Sequence, residues 1–406
     1  MASTFISRTF SGTYNSGTIS MWLKRSNIGS QYIFYNESAS DSNDYGLIQF
    51  DSSDRIEFMT VTNGTHTQKL ITNRVFRDTS SFYHFVFAMD TDNSTADNRL
   101  RIYVNGVEET SYNTRANGSQ GDTNYMFQTS ATNKHRLFAS SGGSACFSGL
   151  ATHIHIVPNS QLAPTVFGET DSTSGIWKPK TAPSVTYTAQ GAFLKFENSG
   201  NLDLDSSGNN LTFTTSGTLT QNVDTPSNVF ATLNGINAGG GNTALSNGNL
   251  TYTRTDYSHN ARSTLGFTKG KWYWEQKQSD NSTRIGLITS GFSNNLDTDS
   301  TDAYYGTYAN GGVYILLSNN STSWQRTNND TSRSVDTYTS AISTSAGDIL
   351  MGAVDADNGK LWIGVNGTWM NSGDPAAGSN NQITFTNTTP DELQVYAGFG
   401  TSSSRT

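Results

Sequence analysis

Two short runs of acidic and amide residues offer the oxygen ligands that a hard cation requires. Asp90, Asp92 and Asp97 crowd one turn, and Asp355 and Asp357 crowd another together with Asn358 and Gly359. Calcium collects carboxylate and carbonyl oxygens from turns of this kind. The second run has Asn366 where a twelve-residue calcium loop places its bidentate glutamate, so Asp90, Asp92 and Asp97 make the stronger metal candidate. The competing reading is that Asp and Asn shape hairpin turns by bonding their own backbone. Calcium apart, no cofactor is expected.

His153 and His155 alternate along one apolar run, so both are expected on one face of a strand. Around a threefold axis such a pair could ligate a transition metal; the plainer expectation is the polar outer face of a sandwich. Cys146 is the only cysteine, which excludes an intrachain disulfide and a cysteine-based zinc site. Exposed aromatic rings suit sugar recognition, because a flat ring covers the apolar face of a pyranose at low entropic cost. Trp324, Tyr304 and Tyr305 lie in polar stretches that read as loops, where recognition residues concentrate. Trp272, Trp274 and Trp362 read as core. A glycosidase needs two carboxylates facing each other across the sugar. The glutamates are scattered singly, so no catalytic residue is assigned and a non-enzymatic protein is expected.

The elements that must hold these residues are strands. One pattern is written twice: a strand, an Asp-rich turn ending in Asn, a returning strand with alternating apolar residues, and an Asn-Gly corner. The first copy runs from Phe87 to Gly106 and the second from Gly352 to Gly367. Period-two alternation marks a half-buried strand, and Asn-Gly tolerates the positive φ of a tight hairpin turn. Two copies imply two related sandwiches. At 406 residues the chain exceeds one ordinary core. Only 14% of residues are charged while 11% are aromatic, which suits antiparallel sheets joined by many turns rather than a disordered polar chain. The expected fold is therefore all-β, two antiparallel β-sandwich (jelly-roll, concanavalin-A-like) domains in tandem. The first spans 1–221, with closing strands after a loop at 162–190; a linker covers 222–248; the second sandwich spans 249–406.

The net charge of −8 carries no basic run, so nucleic acid is not an expected partner. No apolar run approaches a membrane span, and the opening residues lack the basic and apolar regions of a secretion signal. Synthesis in a cytoplasm, without membrane insertion, is the expectation.

Trp22, the block Ser81 to Phe87 and the run Arg99 to Gly106 resemble laminin-G-like, concanavalin-A-like lectins. The second half resembles a SPRY domain in Gly270 to Glu275, Arg284 to Leu287, Gly347 to Gly352, and Asp355 to Trp362 leading to Trp369. The joining pieces resemble structural proteins of tailed phages infecting marine bacteria. These pieces are Phe167 to Asp171, Trp177 to Pro179, Gly191 to Phe196, Asp205 to Asn210 and Asp224 to Asn234. The chain departs from that pattern at His153 and His155, where an acidic residue is expected. The resemblance implies a virion component, as a tail fibre, spike or capsid-attached appendage that adheres to a host-surface glycan or receptor. It also implies contact with other virion proteins and a homo-oligomer, a trimer first, with the first sandwich toward the particle. The alternatives are a bacterial secreted or surface lectin, and a polysaccharide-degrading glycosidase.

Overall fold

The computed structural model describes residues 4–37, 43–127, 135–235, 243–254, 261–278, 283–289, 312–316, 323–328, 334–337, 344–385 and 392–399. The chain divides into two compact units, Met1–Phe230 and Ala231–Thr406, so the division falls inside the stretch 222–248. Both units are all-β. The helical segments among the described residues are the short 3-10 turns Ala96–Asn98, Pro164–Val166 and Met370–Ser372.

The first unit contains strands β1 (Phe5–Arg8), β2 (Ser16–Arg25), β3 (Gln31–Glu37), β4 (Tyr45–Phe50), β5 (Arg55–Thr62), β6 (Thr65–Val75), β7 (Tyr83–Asp90) and β8 (Leu100–Val104). It continues with β9 (Val107–Glu108), β10 (Tyr112–Ala116), β11 (His135–Leu137), β12 (Gly149–Pro158), β13 (Gly168–Thr170), β14 (Trp177–Pro179), β15 (Ala192–Leu194) and β16 (Thr214–Ser216). One sheet orders them β10-β6-β5-β4-β3-β11-β1-β16 and the other β15-β12-β2-β7-β8-β9. The inward residues of both sheets meet in one core that includes Ile19, Met21 and Leu23 of β2, Phe85 and Phe87 of β7, and Phe34 and Phe58 opposite. Its phenylalanines pack edge to face, as between Phe76 and Phe85 with centroids 5.1 Å apart. The chain's return closes both sheets: β15 adds to β12 and β16 adds to β1. The last strand of the unit lies at Thr214–Ser216, and Phe213 just before it is buried in the core.

The outer face of the second sheet is buried too. Val86, Ala88, Tyr103 and Val157 pack against Phe167, with Leu162, Val185 and Tyr187 from the segment after β12. Trp177 anchors this cover. Its indole Nε1 donates to Nδ1 of His84 at 3.0 Å, and its ring leaves no room for a Cβ at Gly106 or Gly168. With Nδ1 accepting, Nε2 of His84 carries the hydrogen and donates to Ser20 Oγ at 2.9 Å. Farther along, Asp224 accepts from Lys24 Nζ at 2.7 Å, the two side chains being 0% and 2% exposed. The same carboxylate accepts from the backbone N–H of Phe230 at 3.1 Å. On the opposite face of β2, Arg25 pairs with Asp54 at 3.0 Å and lies over the Phe50 ring.

The second unit contains β17 (Thr243–Ser246), β18 (Thr251–Arg254), β19 (Ala261–Phe267), β20 (Lys271–Lys277), β21 (Thr283–Thr289), β22 (Gly312–Leu316) and β23 (Ser323–Asn328). It ends with β24 (Ser334–Thr337), β25 (Ile349–Asp355), β26 (Lys360–Val365), β27 (Thr368–Trp369), β28 (Ile383–Thr384) and β29 (Leu393–Phe399). Its sheets run β19-β29-β21-β22-β23-β24 and β20-β25-β26-β27, while β28 also pairs with β26. Ile285, Leu287, Leu350, Val354, Leu361, Ile363 and Val365 form its core.

The doubled pattern is one hairpin built twice. Asn105 and Gly106 have φ of 50° and 84°, and Asn366 and Gly367 have the same values. Asn105 Oδ1 accepts from the N–H of His84, and Asn366 Oδ1 accepts from that of Ile349. In each case the corner is pinned to the start of the hairpin's first strand, β7 or β25.

Two outcomes follow from these contacts. Asp224→Ala strands the Lys24 ammonium under the cover and should cost about 3–5 kcal/mol in denaturant unfolding, whereas Lys24→Met with Asp224→Leu should recover most of it. Gly367→Ala meets open space and should cost about 1–2 kcal/mol for its positive φ alone. Gly106→Ala adds a clash with Trp177 and should cost roughly 1–3 kcal/mol more. Equal losses at the two corners would show that Trp177 does not bear on Gly106.

Candidate functional site

The acidic turns bind themselves. Asp90 Oδ1 accepts from the N–H of Asp92, and Asp90 Oδ2 takes the Asn93 amide. Asp92 takes the Asn15 amide at 3.0 Å. Asp97 takes the Asn117 amide at 2.7 Å and pairs with Arg115 at 3.2 Å. In the second turn Asp355 accepts both the N–H and the side-chain amide of Asn358. Among the described residues no three His, Cys, Asp or Glu side chains gather as a metal group. Asp90 and Asp355 thus shape their own turns, while Asp92 and Asp97 are held by Asn15, Asn117 and Arg115.

The histidines differ from expectation. A bulge between Thr152 and His155 breaks the alternation, with His153 at φ 48°. His155 is not on a polar outer face: it is 1% exposed, stacked 3.9 Å from Phe193 and bonded to the Tyr187 hydroxyl. The cover of residues 160–190 makes that face an interior. Cys146 is half-buried. Tyr304 and Tyr305 lie outside the described residues. Trp324 falls on strand β23, its backbone paired with Asp336, and not in a loop; its side chain lies outside what is described.

The described residues form a different aromatic site, on the outer face of the β20-β25-β26-β27 sheet. Register places Tyr273, Ala353 and Trp362 side by side across three strands, with Lys271, Asp355 and Lys360 on the next rung. The alternate residues Leu350, Val354, Leu361 and Ile363 face the core. On this outer face, small residues leave space between large ones. Ala353 separates Tyr273 from Trp362, and a Cβ at Gly364 would meet the Trp369 ring. The turn Asp374–Ser379 folds over the sheet, pinned by Trp362 Nε1 to the Ser379 carbonyl at 2.8 Å and by Lys360 Nζ to that of Gly378. What remains is a cleft of about 410 Å3 lined by Lys271, Tyr273, Asp355, Trp369, Asp374 and Pro375, with Trp272 at its side.

Tyr273 is 54% exposed and Trp362, 1% exposed, is floor, whereas Trp272, 49% exposed, alternates with Tyr273 and turns its ring to the other face of the sheet. Tyr273 and Trp369 meet edge to face, 6.2 Å apart at 76°. Trp272 stacks on Phe267 and donates to the Lys269 carbonyl. Trp362 is core as the sequence suggested, but Trp272 is not. Burial and the Glu275 carboxylate, which accepts the phenol proton at 2.6 Å, push Tyr273 up to about 12. The Asn358 amide holds Asp355 below the usual carboxylate range. Asp355 is thus held as an anion, unsuited to donating a proton near neutrality.

Residues 4–157 match the family described as the Concanavalin A-like lectin/glucanases superfamily. The first unit has that jelly-roll fold, on which sugar-binding and sugar-cleaving proteins are both built. No curated protein matches the chain. Among solved structures, domains LG4-5 of the mouse laminin alpha1 chain align over 99% of this chain and 80% of theirs, at 12% identity and a TM-score of 0.32. The SPRY domain of human HERC1 aligns over 40% of this chain and 87% of its own, at 13% identity and a TM-score of 0.25. Tailspike protein 2 of an Escherichia coli O157:H7 bacteriophage aligns over 39% of this chain and 22% of its own, at 14% identity and a TM-score of 0.29. Alignments this loose carry no functional weight.

Burial also sets a pH dependence. Desolvation lowers His84 and His135 from 6.5 to about 3, and it lowers His155 as well. The unfolded chain protonates His84 and His135 near pH 6.5 and the folded chain only near 3. Between those values the unfolded state binds more protons, so stability is complete above pH 6.5 and falls as the pH falls. Each ring contributes a slope of about 1.4 kcal/mol per pH unit. Denaturant midpoints should hold steady from pH 7 to 8 and drop steeply from 6 to 4, and His84→Gln should flatten that drop.

Proposed function

We propose that this chain is a non-enzymatic structural protein of a phage particle, a tail fibre, spike or capsid-attached appendage, that adheres to a glycan on the host surface. The observation that carries the glycan half is the cleft of the second unit, where exposed Tyr273 and half-buried Trp369 stand over a rigid sheet beside charged rim residues. Pockets that combine rings with a few placed polar groups are ordinary ligand sites. The non-enzymatic half is supported by the cleft's acids. Asp355 is tied by Asn358, and Asp374 accepts from the N–H of Ala377 and sits within its own turn. Neither is poised as a proton donor opposite a free nucleophile. The phage half rests on the resemblance of the joining segments. In this reading the chain works as a homo-oligomer, a trimer first, and meets other virion proteins through its first unit.

Three measurements separate the alternatives. Mass spectrometry of purified particles should find this chain, and its absence there would leave the bacterial lectin. The purified chain should bind host cells, and Tyr273→Ala with Trp369→Ala should reduce that binding about tenfold or more. Incubation with host polysaccharide should release no reducing sugar; release abolished by Asp355→Asn or Asp374→Asn would make the chain a glycosidase.

A further inference from the structure

We infer that the cleft of the second unit grips a single uncharged pyranose ring, a chain end or a side branch, rather than an extended or anionic stretch of polysaccharide. This rests on the glycan reading above and specifies its ligand.

The first ground is ring geometry. Tyr273 and Trp369 stand at 76° to each other, so they form a corner and not a shared plane. A corner offers one ring as a stacking face and the other as a side wall, which suits one sugar. An extended chain needs successive rings set side by side along a surface. The corner is fixed by the sheet: Tyr273 stands on β20 and Trp369 on β27, with Ala353 lining the space beside Tyr273 and Gly364 letting the Trp369 ring lie close to β26. Pro375 and Ala376 of the folded-over turn add a further wall. At about 410 Å3 the cleft falls toward the small end of ligand sites.

The second ground is charge. The charged residues lining the cleft are Lys271, Asp355 and Asp374. The one ammonium lies 3.9 Å from the Asp355 carboxylate and is partly neutralised by it. A sulfated or uronic sugar would meet two carboxylates for one such cation, and like charges brought together suppress binding. A neutral ring meets aromatic faces, with hydrogen-bonding groups at the rim.

The test is titration of the whole chain, followed by saturation-transfer NMR and tryptophan fluorescence. The probes are the methyl glycosides of glucose, galactose and mannose, linear neutral oligosaccharides of the same sugars, and heparin and polygalacturonate as anionic chains. At least one methyl hexoside should bind with Kd on the order of 1 mM, its longer homologues should tighten less than about threefold, and the anionic chains should bind about tenfold more weakly or not at all. Tyr273→Ala should lose about tenfold and Tyr273→Trp should retain binding. Should Trp369→Ala fail to fold, the half-exposed Tyr273 pair of variants decides. Affinity rising about tenfold with each added sugar, or binding of the anionic chains alone, overturns the single neutral ring and keeps a glycan receptor. No binding by any of these probes overturns the glycan reading as well.

Discussion

A lysine buried on a sheet face sets the terms for the first unit. Lys24 projects from the central strand β2, and its counter-ion arrives only with Asp224, 200 residues later. Until that carboxylate docks, either the charge stays hydrated or the face above it stays open, since an unpaired buried ammonium costs several kcal/mol. The same face holds Trp22 and His84, stacked 4.6 Å apart, which the Trp177 segment covers. The family match ends at residue 157, yet the structure that buries this sheet lies in residues 160–230. The sandwich and its cover therefore belong to one compact unit, Met1–Phe230. A contact of such sequence separation is closed late, because loop entropy must be overcome before the pair contributes.

The two copies of the hairpin show one local solution used for different ends. Backbone angles at Asn105–Gly106 and Asn366–Gly367 coincide, and both asparagines pin the start of the hairpin's first strand. In the first unit the glycine's missing Cβ admits Trp177 and so anchors the cover. In the second the same glycine faces open space. The local chemistry of Asn-Gly specifies the turn in both; the surrounding chain decides whether the corner also carries packing.

That division explains what could be read in advance. Strands β2, β7, β8, β25 and β26 announce themselves through alternation, and their turns through Asn, Asp and Gly, because period and turn chemistry are local. The carboxylates of Asp90, Asp92 and Asp97 could not be sorted by spacing alone between metal ligation and turn formation. The groups that hold Asp92 and Asp97, namely Asn15, Asn117 and Arg115, lie far away in sequence. Trp272 reads as core because its ring is apolar. Exposure of Trp272 and Tyr273 depends on what packs against β20, which no local pattern encodes. The bulge at His153 likewise inserts a residue that a strict period of two assigns to the wrong face. One clue was available: Ala353 interrupts a strand otherwise rich in large residues, and a small residue between Tyr273 and Trp362 leaves room for the cleft.

The cleft's architecture bears on how such a protein would hold a surface. Its rings stand on hydrogen-bonded strands, so little side-chain freedom is lost on stacking, and what is lost is small for a two-torsion aromatic. Rigidity of this kind aids recognition, but a one-ring contact remains weak because its area is small. Strength must then come from repetition. When several copies share one particle, each further contact becomes intramolecular, and avidity can exceed the single-site affinity by about 10²–10⁴ without any new contact. Under the function proposed above, a weak and rigid site would fit a many-copy appendage, because individual contacts can break and re-form while the particle stays attached. The same site on a lone monomer would hold nothing for long.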